Sequence, residues 1–443
     1  MARIGFFVLP NTGSMNACLK LAADLRERGH EVAYFGLKDS ETYIRANGFA
    51  FTPVFEEHFP KGYFSDDLRQ EGLFAGLRKI GTARAHFRRF FTHILGGGDE
   101  EFLSLLRAWQ PNLMVFASGD PHIEWPALMA YAAGKNSVYF YDALWPCERS
   151  RLPTVETDLV PTPALAFTVR NYVAWKRYHL MRTLPDRLMG FPRFTRQLAA
   201  RYGYHTEFYD NTHKRHTLVR LPELVPFPTA LEFPGAEEIP GRHYIEASIW
   251  LERKQPEFPW EWLDEGCPLV LCALGTYLWF DAEWYQRFFR IVLDVARAKP
   301  EWQWVLGTGR LVDPPGLGPL PRNVIAVETV PQLALLQRAR MMITHGGTNT
   351  IKECVYFGVP MVILPFGGDH PGNTARLIYH GLGVKGDLQR LSVRSLKEQV
   401  EAVDRSFYIQ SQMQLMRERV RRLEEEKPGV RLIENWLVAG DSR

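Results

Sequence analysis

Short apolar or β-branched runs alternate with longer amphipathic stretches along nearly the whole chain, and this alternation restricts the fold more than any other feature. A run too short for a helix must pair in a sheet, and a helical segment between two runs returns the chain so that neighbouring strands lie parallel. In the first half the runs fall at 4–9, 31–35, 113–117, 138–141 and 217–219; in the second, at 269–273, 302–306, 324–327, 341–344 and 361–364. A proline-rich passage over 222–240, containing Pro226, Pro228 and Pro234, separates the two sets and should act as a stiff spacer. The pattern predicts an α/β protein of two Rossmann-like, doubly wound domains facing across a cleft: 1–225, a linker over 226–245, and 246–420. A charged helical stretch over 411–426 is interrupted by Pro428-Gly429 before an apolar segment, so 421–443 is expected as a separate terminal helix. At 443 residues, each half is long enough to bury its own core.

The stretch Thr344-His345-Gly346-Gly347-Thr348-Asn349-Thr350 lies between the strand run 341–344 and a helical segment ending at Gly358. A diphosphate at that helix N-terminus would meet unpaired backbone N–H groups and the positive end of the dipole. Gly347 permits close backbone approach, and His345, Thr348 and Asn349 supply side-chain donors. Glu353, one turn further, suits ribose hydroxyls. Asp369, His370 and Asn373 follow the next strand run and should reach the same strand-end crevice.

In order and spacing these residues resemble the donor-binding signature of the family 1 glycosyltransferases, the UDP-glycosyltransferase superfamily of GT-B fold, and bacterial macrolide-glycosyltransferase-like members in particular. The resemblance is close over 269–385 and limited in the first half to the opening strand, turn and helix. It implies that His345 and the glycines hold the diphosphate, Glu353 the ribose, and Asp369 with His370 the sugar. It also implies that Val330-Pro331-Gln332 reads the base through its backbone and that Gly275-Thr276 sits beside the phosphates. His370 stands where glutamine is commoner. The implied activity is inverting transfer of a hexose from a nucleotide diphosphate sugar, UDP-linked by family habit, without metal or other cofactor. The implied acceptor is a hydrophobic small molecule (natural product, phenol, carboxylic acid or lipid) held by the first half, with Gly13, Asn16 and Trp145 as acceptor-side residues.

One position departs from the family. Many members carry Gly-His-x-x-Pro after the first strand, the histidine being the general base; here the loop is Pro10-Asn11-Thr12-Gly13-Ser14-Met15-Asn16, and Ser14 takes the histidine's place. A lone serine hydroxyl is a poor base at neutral pH. Three readings follow: a displaced base at Asp120 or His122, an acceptor that is already acidic, or lost catalysis. Two further functions stay open beside transfer: a catalytically silent nucleotide-sugar-binding auxiliary protein, and a UDP-sugar 2-epimerase.

Charge and composition narrow the field. Fifty-three basic against 50 acidic residues give +3, too balanced to indicate nucleic acid binding. The five cysteines, at 18, 147, 267, 272 and 354, form no CxxC pair and read as reduced. No apolar run reaches the length of a membrane span or a signal core, so a cytoplasmic location is expected. The stretch 165–216 carries ten Lys or Arg against three Asp or Glu, with Phe167, Tyr172, Trp175, Tyr178, Phe191 and Phe194. It reads either as a peripheral contact with an anionic membrane or as core and pocket aromatics under a solvated basic face. Ser65-Asp66-Asp67 and Asp99-Glu100-Glu101 fall outside any strand-end context and read as solvated loops rather than a metal site. Leu306-Gly307-Thr308-Gly309 reads as a strand-end loop.

Overall fold

The computed structural model describes residues 1–64, 73–117, 123–142, 144, 152–205, 219–236, 239–276 and 279–439, with the backbone alone for 73–80, 82, 182–186 and 439. Among these residues the first sheet has seven strands: β1 (Arg3–Val8), β2 (Glu31–Gly36), β3 (Ala50–Pro53), β4 (Leu113–Ala117), β5 (Asn136–Phe140), β6 (Glu223–Val225) and β7 (Arg242–Tyr244). Their order is β3-β2-β1-β4-β5-β6-β7 and every pairing is parallel. The second sheet has six: β8 (Leu269–Ala273), β9 (Gln303–Gly307), β10 (Val324–Val327), β11 (Ala339–Thr344), β12 (Met361–Ile363) and β13 (Gly383–Lys385). It is parallel throughout, in the order β10-β9-β8-β11-β12-β13.

Helices cover both faces of each sheet, which is why the central strands are apolar at every position rather than alternating. In β1, Phe7 enters one core cluster while Ile4, Phe6 and Val8 enter the other. The strand order reverses between β1 and β4 in the first sheet and between β8 and β11 in the second. Each reversal opens a crevice at the carboxyl ends of the strands.

Four strands escape the sequence pattern. β3, β6, β7 and β13 are Ala-Phe-Thr-Pro, Glu-Leu-Val, Arg-His-Tyr and Gly-Val-Lys, short segments whose pairing comes from a preceding strand rather than from their own apolar content. β7 corrects a boundary: Arg242 pairs with Glu223 and its guanidinium bonds that carboxylate at 3.0 Å, so the first sheet ends inside the passage expected as linker over 226–245. Of the expected run 217–219, Val219 alone is described, and it belongs to neither sheet.

The chain passes between the halves twice. After β7, Ser248 donates its hydroxyl to the Ala17 carbonyl at 2.7 Å, and the Lys254 N–H meets Asn47 Oδ1 at 2.9 Å. At the other end, the Phe407–Glu426 helix buries Met413, Met416 and Val420 in the core of the second half. Lys427, in the left-handed region (φ 47°), then turns the chain, and the Pro428–Ala439 helix inserts Val430 and Ile433 into the core of the first half. The returning helix therefore starts at Pro428, not at 421. Lys427 pairs with Asp24 at 2.7 Å and Glu27 at 3.1 Å, and Arg28 with Glu434 at 3.0 Å. Where the two passages meet, Glu246 accepts the Gly429 N–H at 2.8 Å. Glu424 is buried close by, and burial, reinforced by Glu246, pushes its carboxyl up to about 7.

Candidate functional site

β11 ends at Thr344, and Gly346 turns with φ +85° into the Thr348–Phe357 helix, which Gly358 stops in the left-handed region at φ 77°. The residue ahead of the helix is Gly347, whose lack of a side chain leaves the first-turn N–H groups uncovered. The His345 imidazole fits between two glycines: a Cβ at Gly347 would stand 2.6 Å from its Nε2, and one at Gly275 2.6 Å from its Cε1. His345 is buried, and burial followed by the neighbouring His370 ring holds its pKa well below the usual histidine value. It is therefore neutral, with one N–H to donate and no charge. A diphosphate here would rely on the helix terminus for positive potential.

A second group of polar contacts fixes this turn from β12. Asn373, fully buried, donates its amide to the Gly346 carbonyl at 3.0 Å, to Thr348 Oγ1 at 3.1 Å and to Asp369 Oδ2 at 2.9 Å. Thr348 donates its hydroxyl to the same Asp369 oxygen at 2.6 Å. His370 stands perpendicular to His345 with ring centroids 4.5 Å apart, and the Trp279 ring lies 5.3 Å from it on the other side. The sequence-expected residues His345, Gly347, Thr348, Asp369, His370 and Asn373 are thus brought together. Asn373 braces the turn through its amide.

Glu353 is buried and bonded on both oxygens, to Arg253 Nη1 at 2.6 Å and to Gln332 Nε2 at 2.6 Å. Gln332 also lies 3.5 Å from Thr350 Oγ1. Arg253 is a participant that sequence reasoning missed; it sits just before the second half, in no recognisable motif. Val330 packs on Gly307 at the end of β9, and Thr276 is exposed after the end of the neighbouring parallel strand β8. Thr308 and Gly309 give their N–H groups to the Val327 and Glu328 carbonyls at 2.9 Å, as a strand-end loop does.

The first half meets this site through the start of its first helix. Asn11 caps that helix, accepting the Gly13 N–H at 2.8 Å and the Ser14 N–H at 3.4 Å, so it begins at Thr12, inside the stretch 10–16 expected as a loop, and Ser14 lies in its first turn. Ser14 donates its hydroxyl to Asp142 Oδ2 at 3.0 Å. Asp142 follows β5 by two residues and was not singled out from sequence; only its place at a strand end could have flagged it. Burial pushes its carboxyl up to about 6. Asn349 does not stand free as a phosphate donor: its amide spans the cleft to the Gly13 carbonyl at 2.8 Å. Asn16 accepts the Tyr43 hydroxyl. Lys352 is buried beneath the helix, bonded to the Pro226 carbonyl at 2.8 Å, with burial lowering its pKa to about 8. The other base candidates, Asp120 and His122, and the acceptor-side Trp145 lie outside the described residues, as do Ser65-Asp66-Asp67.

Other expectations are corrected or divided. Asp99 is not a solvated loop carboxylate: it is buried and bonded to Arg201 at 3.1 Å and to Tyr202, while Glu101 accepts the Phe55 N–H at 2.7 Å. Trp175, Tyr178, Phe191 and Phe194 are buried, whereas Tyr172 is exposed. Cys18, Cys267, Cys272 and Cys354 are free thiols. Among the described residues, no group of three His, Cys, Asp or Glu is placed to hold a metal ion, and no helix is long and apolar enough to cross a membrane.

Comparison with known proteins agrees with this geometry. The family profile described as UDP-glucoronosyl and UDP-glucosyl transferase matches residues 306–425, which run from the end of β9 through the turn at Gly346 and on to the Phe407–Glu426 helix. NDP-glycosyltransferase YjiC of Bacillus subtilis (strain 168) is 32% identical over 154 residues, 35% of this chain and 38% of that protein, so this match spans well under half of the relative's length. Demethyllactenocin mycarosyltransferase of Streptomyces fradiae is 25% identical over 452 aligned residues, 95% of this chain and 84% of that protein. The crystal structure of the glycotransferase of kitacinnamycin superposes with a TM-score of 0.70 at 21% identity, covering 98% of both chains, a likeness of fold. Two parallel sheets with opposed crevices match the GT-B fold, and the glycine-flanked histidine at a helix N-terminus lies inside the segment that is similar to the UDP-glucoronosyl and UDP-glucosyl transferase profile.

Proposed function

We propose that this protein transfers a hexose from a nucleotide diphosphate sugar, UDP-linked, to a hydrophobic small-molecule acceptor of the natural-product, phenol, carboxylic acid or lipid class, with inversion at the anomeric carbon and without a metal. One observation carries the reading: the helix N-terminus capped by Gly347, walled by the neutral His345 ring and fixed by Asn373 and Asp369. In this reading the diphosphate rests on the first-turn N–H groups, with the His345 N–H and Thr276 beside it. Charge developing on the leaving group is stabilised by the helix dipole and these donors, which are held in place before the reaction begins. Glu353, held by Arg253, meets the ribose, while Val330 and Gln332 border the base. Asp369 and His370 face the sugar. Two relatives support the class of reaction by their names, one an NDP-glycosyltransferase and one a mycarosyltransferase.

The reading extends to a peripheral contact. The Leu165–Met189 helix exposes Leu165, Val169, Tyr172, Val173 and Leu180, with Lys176 on the same face and Arg170 and Arg177 on its flank. Apolar side chains between basic ones suit an anionic membrane surface. Sedimentation with phosphatidylglycerol vesicles, absent with phosphatidylcholine vesicles and lost in Leu180→Glu, tests it.

The main test is thermal unfolding with UDP, dTDP, GDP and ADP sugars, followed by transfer assays with and without chelator. Ligand at about a hundred times its dissociation constant adds roughly 2.7 kcal/mol of stability. A shift with one nucleotide class and chelator-resistant transfer are expected. No shift with any class would remove the donor site, and transfer abolished by chelator would remove the metal-free mechanism.

A further inference from the structure

Glycosyl transfer to a hydroxyl needs a group to take the acceptor's proton, and the family's usual position for it holds Ser14. Resting on the transfer reading above, we propose that Asp142 is the general base and that Ser14 is the residue that positions it. Asp142 is 8% exposed, and among the described residues its Oδ1 has no hydrogen-bond partner, while Oδ2 is held by the Ser14 hydroxyl at 3.0 Å. A buried carboxylate with one oxygen anchored and the other unengaged is costly unless a ligand completes it. The acceptor hydroxyl supplies that missing donor.

The placement suits the chemistry. Asp142 stands at the carboxyl end of β5, at the crevice side of the first sheet, beside Ser14 in the first turn of the Thr12–Glu27 helix. Gly13, next to Ser14, is the residue that Asn349 reaches from the donor-side helix N-terminus, and its own Cβ position lies 3.6 Å from Asp142 Oδ2 and 3.5 Å from Asn349 Nδ2. The carboxylate is therefore next to the point where the two halves touch, directly across from the first turn that receives the diphosphate. The charged groups facing it are Lys352, from the Thr348–Phe357 helix, and Asp369, ahead of the His370–Tyr379 helix. Burial raises its proton affinity to the range a base needs near neutral pH, about 6. In the step, the acceptor O–H gives its proton to Asp142 Oδ1 as the acceptor oxygen bonds the anomeric carbon. The bond from that carbon to the phosphate oxygen breaks, and the electron pair leaves on the nucleoside diphosphate. Ser14 keeps its own proton and holds the carboxylate still.

The test compares the wild type with Asp142→Asn and Ser14→Ala, using UDP-glucose or dTDP-glucose and a series of phenols from strongly acidic nitrophenols to weakly acidic alkylphenols. Asp142→Asn should keep donor affinity within about twofold and lose about 10²- to 10³-fold in kcat on the weakly acidic phenols, with a much smaller loss on phenols already ionised at the assay pH. Ser14→Ala should lose less and shift the acid limb of the kcat profile, which a purely packing role would not move. Retained donor-dependent thermal stabilisation shows that each variant is folded. If the wild type transfers and Asp142→Asn keeps full rate, or loses equally on all phenols, the base assignment is overturned while the transferase reading stands. If the wild type binds donor but transfers to none of these acceptors nor hydrolyses the donor, the transferase reading falls and the base assignment falls with it.

Discussion

The two crevices face each other but are built on different principles. On the second sheet, side chains hold side chains: Asn373 and Thr348 share Asp369, Arg253 and Gln332 share Glu353, and two glycines close on His345. On the first sheet the described polar contacts at the cleft are few, Ser14 with Asp142 and Asn16 with Tyr43. Below them lies an aromatic core in which Trp125 meets Phe7, Phe55 and Phe90 at ring distances of 5.2–5.5 Å. A charged, invariant group such as a diphosphate demands fixed dipoles and exact clearances. An apolar partner demands only complementary surface, which many sequences can supply.

This contrast can be broken most forcefully at Glu353. Its replacement by alanine leaves the buried Arg253 guanidinium without its carboxylate, and an expected loss of about 3–5 kcal/mol should appear in denaturant unfolding. A loss below about 1 kcal/mol would mean that the ion pair does not brace the crevice of the second sheet. Next in size is a paired substitution. Gly347→Ala has an ordinary φ of −64° but drives a methyl to 2.6 Å from the His345 ring, so donor affinity should fall about a hundredfold, near 2.7 kcal/mol. Gly13→Ala, whose nearest foreign atom is 3.1 Å away, should change donor affinity by less than about threefold. Titration calorimetry with the nucleotide sugar reads both, and equal effects would erase the distinction.

The junction between the halves gives a smaller effect with a defined sign. The Glu424 carboxyl, at about 7 in the folded protein against an ordinary 4.5, is protonated more readily folded than unfolded. Its contribution is full below about pH 4.5 and is lost as pH rises through 7. Glu424→Gln should therefore be more stable than wild type at pH 8, on the order of 2 kcal/mol, with the gap closing toward pH 5. An unchanged gap across that range would show that Glu424 does not titrate near neutrality. Smallest is Asn349→Ala, which removes the bond to the Gly13 carbonyl and should cost about 1 kcal/mol of stability. If donor affinity instead falls as far as in Gly347→Ala, Asn349 belongs to the donor site, as its motif alone implied.

The same contrast governs what could be read from sequence. β4, β8 and β10 are continuous apolar runs and have the bounds expected of them. β6 and β7, three residues each and embedded among prolines, carry no pattern of their own and exist because β5 offers β6 an edge and β6 in turn offers one to β7. In the site, the turn at Gly346-Gly347 was legible because a strand, two glycines and a helix leave few alternatives. Arg253 and Asp142 were not, because each acts through a partner distant in sequence, Glu353 and Ser14, and neither lies in a local motif. Residues 12–16 read as loop although they are helical, because Gly13 and Ser14 look like a turn until Asn11 is seen to cap them.

One feature has mechanical meaning beyond its chemistry. The backbone passes from one half to the other through Glu246 and Ser248 and returns at Lys427, and the Glu246 carboxylate bonds the first turn of the returning helix. Two strands of covalent chain fastened to each other along one edge behave as the spine of a book. Asn349 meets the Gly13 carbonyl one helical turn from the Ala17 carbonyl that Ser248 holds, so this contact between the halves lies beside the crossing. Any rotation about the crossing would therefore move the Asn349–Gly13 contact least and the parts of each half furthest from the crossing most.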